Sequence, residues 1–111
     1  MTIDSLRKFG ANVEEGLERC MGMEDFYLEM VELGLSDERF EQLGPALETR
    51  NYKEAFDTVH ALKGVIGNLA LAPLYDTICE ITEHLRRQED VDYKTLYDRL
   101  MEQRKQIIEM E

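Results

Sequence analysis

Apolar residues recur at intervals of three and four along most of the chain, which is the spacing of amphipathic α-helices. No stretch alternates apolar and polar residues in the manner of a half-buried strand. Glycine, proline and capping residues divide the helical pattern into segments. The pattern therefore predicts an all-α protein, in which four longer helices close an up-and-down four-helix bundle and additional short helices precede them at the N-terminus.

Capping residues mark the beginning and end of the first two helices. Thr2 is a candidate N-cap for a short helix that Gly10 would end. Asn12 is followed three residues later by Glu15, which is the spacing of a capping box. We expect a second short helix to begin there.

The next boundary is predicted around Gly34. This glycine is a candidate C-terminal stop, and Ser36 is a candidate N-cap for the helix that follows. Pro45 lacks a backbone N–H, so it makes a straight helix over residues 37–49 uncertain. We expect a break or kink in this part of the chain.

Three helices are predicted in the second half of the chain. Asn51 has capping-box spacing and begins a helix over residues 52–70, which would be about 28 Å long. Pro73 fits the first position of the following helix, and the final helix begins near Asp92. We expect Arg104, among other charged residues, to lie on the water-facing side of that last helix.

Length and charge limit the classes of function. A chain of 111 residues can bury one modest core, so we expect a single domain over residues 1–111. Thirteen basic residues against 24 acidic ones give a net charge of -11. Nucleic acids and anionic membrane surfaces would repel such a surface, so neither is expected as a partner.

The lack of a recognisable targeting signal and the cysteine usage favour the cytoplasm. Residues 2–8 are too polar for a signal peptide, and the weakly polar run over residues 64–75 is shorter than the roughly 18 residues of a membrane span. Cys20 and Cys79 lie far apart without Cys-x-x-Cys spacing. We therefore interpret them as buried free thiols in a reducing compartment, and a disulfide bond between them is the alternative.

One histidine lies on the polar face of the predicted central helix. On a wheel of about 100° per residue, His60 points about 140° away from the centre of the apolar stripe. That stripe consists of Ala55, Val59, Leu62, Ile66 and Leu69. The residues within about 60° of the histidine are Phe56, Asp57, Lys63, Gly64 and Gly67.

The neighbours of His60 suggest a role for it. Each glycine inside a helix costs about 1 kcal/mol relative to alanine, so Gly64 and Gly67 need a reason, and access for a partner protein is one. Lys63 is three residues further on, about 5–6 Å away between Cβ atoms, and can place an ammonium beside a phosphoryl group on the imidazole. The chain has no P-loop or kinase glycine-rich motif, so other catalytic groups would come from a partner.

The run His60-Ala61-Leu62-Lys63-Gly64, followed by Gly67-Asn68-Leu69, closely resembles the histidine phosphotransfer (Hpt) domain family. Residues 51–85 are similar to the two central helices of that family, and the chain has the length of a free-standing member. The family often has a glycine near the end of this helix, where this chain has Ala70. The end of the helix is therefore less certain than the acceptor.

The resemblance implies a phosphorelay intermediate of two-component signalling. It implies that His60 accepts a phosphoryl group from a receiver-domain aspartate and passes it to another receiver, with Lys63 beside the phosphate and with Gly64 and Gly67 as access positions. The expected partners are response-regulator receiver domains and a hybrid histidine kinase. The chain would be a phosphocarrier without an ATP-dependent catalytic site. It would need no cofactor or metal of its own, because the divalent ion is expected on the receiver.

Several alternatives stay open at this stage. Phe56 is either an aromatic at the edge of the core or, with Asn68, part of a docking patch. A metal site that includes Asp57 and His60 would lack ligands, since the chain has only two histidines and His60 points outward.

A helical adaptor that binds signalling proteins without phosphorylation would keep the bundle and lose the chemistry. A kinase dimerisation domain usually has an acidic residue after its histidine, where this chain has Ala61. A closed bundle also favours a monomer.

Overall fold

The computed structural model describes residues 1–110, and within that range it contains seven α-helices and no β-strand. In chain order they are α1 (Ile3–Phe9), α2 (Val13–Arg19), α3 (Glu24–Leu35), α4 (Arg39–Glu48), α5 (Tyr52–Asn68), α6 (Ala72–Arg86) and α7 (Tyr93–Glu109). The predicted all-α class is confirmed. None of the helices in the described range is long and apolar enough to cross a lipid bilayer.

The last four helices form the bundle. Helix α4 packs against α5, α5 against α6, α6 against α7, and α7 returns to α4. Short connections place consecutive helices side by side, as in an up-and-down bundle. The three N-terminal helices precede it, and α3 contacts α7. The predicted bundle with additional N-terminal helices is confirmed.

The apolar stripe of α5 is buried as its spacing predicts. Ala55, Val59, Leu62 and Ile66 are fully buried, and they meet Leu74, Ile78, Ile81 and Leu85 of α6 in the core. Full burial of each valine, leucine or isoleucine among them contributes about 1.5–3 kcal/mol relative to exposure. Because these contacts fix the rotation of α5, its opposite face must point to solvent.

The caps of the short helices agree with the sequence, with one difference. Thr2 caps α1, which ends at Gly10 in the left-handed conformation (φ +111°). Asn12 Oδ1 accepts a hydrogen bond from the backbone N–H of Glu15, as predicted. The Glu15 carboxylate accepts from the Asn12 side chain, however, because the Asn12 backbone N–H donates to the carbonyl of Ala70 at 2.8 Å. The capping box is therefore only half formed.

The break predicted around Gly34 is confirmed, since α3 and α4 are separated at residues 36–38, but Gly34 itself is not the stop. Helix α3 continues through this residue to Leu35. Gly34 is buried, and a Cβ atom at this position would overlap the side chain of Leu69. A larger residue would require the Leu69 side chain to shift, so the glycine favours close packing of α3 on the end of α5, a contact between residues that are distant in sequence.

The predicted helix start at Ser36 is also wrong. Ser36 is the C-cap of α3, and its hydroxyl donates to the carbonyl of Glu32 at 2.9 Å. The carboxylate of Asp37 instead accepts from the backbone N–H of Arg39, where α4 begins. Helix α4 then continues through Pro45. Only the backbone donor of Pro45 is lost there, and the Pro45 carbonyl still accepts from the N–H of Thr49 at 2.9 Å.

The expectation of a water-facing Arg104 is wrong as well. Its side chain is only 16% exposed and forms a 2.9 Å ion pair with Glu41 of α4. Its Nε donates to the carbonyl of Leu35 at 2.7 Å, and the guanidinium lies 4.9 Å from the centre of the Phe40 ring. Arg104 therefore joins α7 to the end of α3 and to α4. The spacing of apolar residues along α7 cannot show that the end of α3 lies against Arg104.

Candidate functional site around His60

Helix α5 carries His60 on the face opposite its buried stripe. The side chain is exposed and has no hydrogen bond or ion pair with any other residue in the range 1–110. An imidazole in this setting keeps a nitrogen lone pair available to a reagent from solution. The position combines a rigid backbone with an accessible nucleophilic group.

Phe56 stacks on His60 from the preceding turn of α5. The two ring centroids are 5.6 Å apart, with an angle of 26° between the ring planes. Phe56 is half-buried against the core, and the guanidinium of Arg86 lies 5.8 Å from the centre of its ring. Phe56 therefore packs at the core edge and also contacts His60, whereas its role in a docking patch stays a prediction.

A concave depression of about 580 Å³ lies beside His60. Five of the sequence-predicted residues line it, namely His60, Lys63, Gly64, Gly67 and Asn68. The remaining walls come from α2 and from the start of α6. Phe56 lines a separate concave surface with Arg86 and Tyr52. Five of the six predicted positions therefore line one depression, whereas Phe56 lies one turn before His60 and lines another surface.

The two glycines have different surroundings. A Cβ atom at Gly64 would have no neighbour within 4 Å, so the space above this residue is open. A Cβ atom at Gly67 would lie 2.9 Å from the ring of Tyr75 in α6. Gly64 leaves room for another molecule, whereas Gly67 leaves room for a side chain of the protein itself.

Lys63 lies on the same side of α5 as His60, and both line the depression. It is half-buried and forms no ion pair with another residue in the described range. Its ammonium is therefore not neutralised by a carboxylate of residues 1–110. An anion that enters the depression could bind it.

Arg19 also lines the depression, although the sequence pattern did not predict it as a site residue. Its Nη1 donates to the carbonyl of Gly67 at 2.7 Å, and its Nη2 pairs with Glu15 one turn earlier in α2. The i,i+4 spacing of Glu15 and Arg19 is a sequence signal for an ion pair. Nothing in that spacing shows that α2 lies against α5, because Gly67 is 48 residues further along the chain.

Helix α5 ends at Asn68, two residues before the predicted end at residue 70. Leu69 is the C-cap, and Ala70 adopts the left-handed conformation with φ +58°. Such a conformation favours glycine, which has no Cβ atom to clash with the following carbonyl. Ala70 thus occupies, at some conformational cost, a position where glycine would be unstrained.

The N-terminal helices satisfy carbonyl groups at this end of α5. A helix leaves its last carbonyls without intrahelical partners. Three donors from the N-terminal part of the chain reach carbonyls in and just after the last turn: Arg19 to Gly67 at 2.7 Å, the Tyr27 hydroxyl to Leu69 at 2.7 Å, and the Asn12 N–H to Ala70 at 2.8 Å. The segment that leads away from the His60 helix is therefore held by α2 and α3.

Tyr75 forms part of the wall on the α6 side. The Cys79 thiol, one turn further along α6, is the main cause that raises the pKa of the Tyr75 phenol. Both cysteines are free, but only Cys20 is buried. The prediction of a buried thiol is right for Cys20 and wrong for Cys79, which lies one turn after Tyr75 and is partly exposed.

Acidic and histidine side chains do not converge near His60. Among residues 1–110 no group of three or more His, Cys, Asp or Glu side chains is arranged to hold a metal ion. Asp57 is exposed next to His60 on the same helix. The described residues therefore give Asp57 and His60 no third ligand.

A sequence model of the Hpt domain matches residues 27–109. The matched range begins within α3 and includes all four helices of the bundle and His60, whereas α1 and α2 precede it. No curated protein and no solved structure gives a significant match.

Proposed function

Because the chain belongs to the Hpt domain family, we propose that His60 accepts a phosphoryl group from the aspartate of a response-regulator receiver domain and passes it to another receiver. Hpt domains act in phosphotransfer within two-component signalling and are phosphocarriers. The finer assignment to His60 and to receiver partners is our proposal. We also propose that a hybrid histidine kinase is the source of the phosphate, that the protein is located in the cytoplasm and that it is a monomer.

The observation that carries the proposal is the exposed, unpaired imidazole of His60 at the edge of an open depression. The buried stripe of α5 fixes the orientation of the helix face that carries this ring, and the ring of Phe56 stacks on it. A fixed nucleophile reduces the entropy lost when a partner brings its phosphoryl group into line.

The chemistry requires one bond to form and one to break. A ring nitrogen of His60 donates its lone pair to phosphorus, the P–O bond to the receiver aspartate breaks, and the aspartate leaves as a carboxylate. The positive charge that develops on the ring is neutralised when the other ring nitrogen releases its proton to water. The reverse sequence transfers the group to a second receiver.

Lys63 has an electrostatic role in this scheme. Phosphoryl transfer depends mainly on in-line positioning and on neutralisation of charge on the phosphoryl oxygens. The Lys63 ammonium supplies positive charge from this chain, and a divalent ion on the receiver is expected to supply the rest. Gly64 leaves the approach open, and Asn68 lines the same depression.

Transfer of radiolabelled phosphate tests the proposal. A receiver domain is first charged with labelled acetyl phosphate and then mixed with the wild type, with His60→Gln or with the matched control His84→Gln. His84 lies in the last turn of α6, 3.4 Å from a Glu89 carboxylate oxygen, and does not line the depression. We expect acid-labile label on the wild type and the control only.

The same experiment separates the relay from the alternative adaptor. An adaptor would bind the receiver in a pull-down but take up no label in any of the three forms. Label on His60→Gln at the wild-type level would show that another residue is the acceptor. Circular dichroism of each variant confirms that the bundle is intact.

A further inference from the structure

Helix α2 lies outside the range that the Hpt domain model matches, yet it lines the depression beside His60. Glu15 and Arg19 face this depression from one side, while Lys63 and His60 face it from α5. A partner that reaches the imidazole through the depression would therefore meet α2 as well. The family match alone does not indicate this wall.

Arg19 is held in place by a connected set of polar contacts. Its guanidinium donates to the Gly67 carbonyl and pairs with Glu15, and the Glu15 carboxylate also accepts from Asn12 Nδ2 at 3.1 Å. An exposed ion pair alone contributes little to stability. These contacts instead restrict a flexible side chain to one orientation beside α5.

The guanidinium keeps capacity for a further ligand. Arginine has five N–H donors in a fixed planar arrangement, and the two contacts with Gly67 and Glu15 engage only part of them. The Arg19 side chain is 43% exposed. Planar donors of this kind suit phosphoryl and carboxylate oxygens.

The charge at the depression differs from that of the molecule. The whole chain has a net charge of -11, whereas two cations, Arg19 and Lys63, and one carboxylate, Glu15, line the depression. A phosphorylated aspartate is strongly anionic, and most of the surface would repel it. Positive charge placed next to His60 complements such a group during docking.

We propose that α2 forms one wall of the surface on which a phosphorylated receiver docks, and that Arg19 is a positioning residue of that wall, presenting a second positive charge to the anionic centre of the receiver. This inference rests on the proposed function of His60. It assigns docking to a helix that precedes the family-matched range.

The test compares transfer kinetics for Arg19→Gln, Arg19→Lys and the control Arg99→Gln. Arg99 is a matched control because it forms a surface ion pair with Glu80, is 48% exposed, and does not line the depression. For Arg19→Gln we expect the receiver concentration at half-maximal rate to rise about fivefold to tenfold, with little change in the maximal rate. Arg19→Lys should recover part of this loss, and Arg99→Gln should match the wild type.

Ionic strength provides a second readout that a purely structural role would not change. Because one attractive charge has been removed, added salt should favour receiver docking to Arg19→Gln relative to docking to the wild type. An equal salt dependence in both proteins would contradict an electrostatic role for Arg19.

A small phosphoryl donor separates this inference from the proposed function. Phosphoramidate can phosphorylate an accessible histidine without a docked protein, so Arg19→Gln should lower the receiver-dependent rate relative to the phosphoramidate-dependent rate. An equal loss with both donors would show that Arg19 acts through the local structure of α5 and would overturn the docking role. If the wild type accepts phosphate from neither donor, the proposed function of His60 itself is wrong.

Discussion

Replacement of Gly64 by alanine is expected to stabilise the protein and to slow phosphotransfer. Gly64 lies inside α5, and a Cβ atom there would meet nothing within 4 Å. The helix therefore gains the full propensity difference between glycine and alanine, which is about 1 kcal/mol. For a domain of this size, that gain corresponds to a rise of about 4 °C in Tm.

The loss of function follows from the same open space. If a receiver must approach His60 over Gly64, a side chain at this position displaces the incoming phosphoryl group. A displacement of about 1 Å can reduce a transfer rate by about a hundredfold. We expect a moderate decrease for Gly64→Ala and a decrease of that order for Gly64→Gln, which is also a good helix former.

The assay pairs urea denaturation with the initial rate of transfer from a phosphorylated receiver. Gly67→Ala is the matched comparison, because it adds the same Cβ atom one turn further along α5. There the atom would lie 2.9 Å from the Tyr75 ring, so we expect a smaller gain in stability or a loss. If both Gly64 variants transfer phosphate at the wild-type rate, the access role of Gly64 is refuted.

Further predictions concern stability at the end of α5. Ala70→Gly should raise the free energy of unfolding by up to about 1 kcal/mol in urea denaturation, because it removes a left-handed alanine at φ +58°; no gain would argue against strain there. Tyr27→Phe should lower it by about 1–3 kcal/mol, because the buried carbonyl of Leu69 loses its donor; an unchanged value would show that this bond is unimportant. Burial raises the pKa of Tyr27 from 10.0 to about 12, so its neutral phenol stabilises the fold fully below pH 10, and this contribution is lost as the pH rises towards 12. Between pH 9 and 11 the wild type should therefore lose more stability than Tyr27→Phe, and equal losses would contradict this assignment.

The sequence was sufficient to predict the bundle and the outward direction of His60. Both depend on the rotation of side chains around one helix, and the apolar stripe of α5 defines that rotation locally. The capping role of Asn51 was equally local, since its Oδ1 accepts from the backbone N–H of Glu54. Features of this kind need no knowledge of neighbouring helices.

The errors concern contacts between distant parts of the chain. Gly34 had the sequence features of a helix stop, but its role is to make room for Leu69. Arg104 had the features of a solvated residue, although it lies between the end of α3 and α4. Gly64 and Gly67 share one polar face in the sequence pattern, and the positions of Tyr75 and Arg19 distinguish them. In each case the packing of another helix decides the role of the residue.

The most direct test of the central claim is to locate the phosphoryl group and to follow its departure. The wild type is phosphorylated by a charged receiver, digested at neutral or alkaline pH to preserve phosphohistidine, and analysed by tandem mass spectrometry before and after addition of a second, unphosphorylated receiver. We predict one phosphoryl group on His60, and we predict that it disappears from His60 as it appears on the second receiver. Phosphate on any other residue, or phosphate on His60 that no receiver can remove, would contradict the assignment of this chain as a relay through His60.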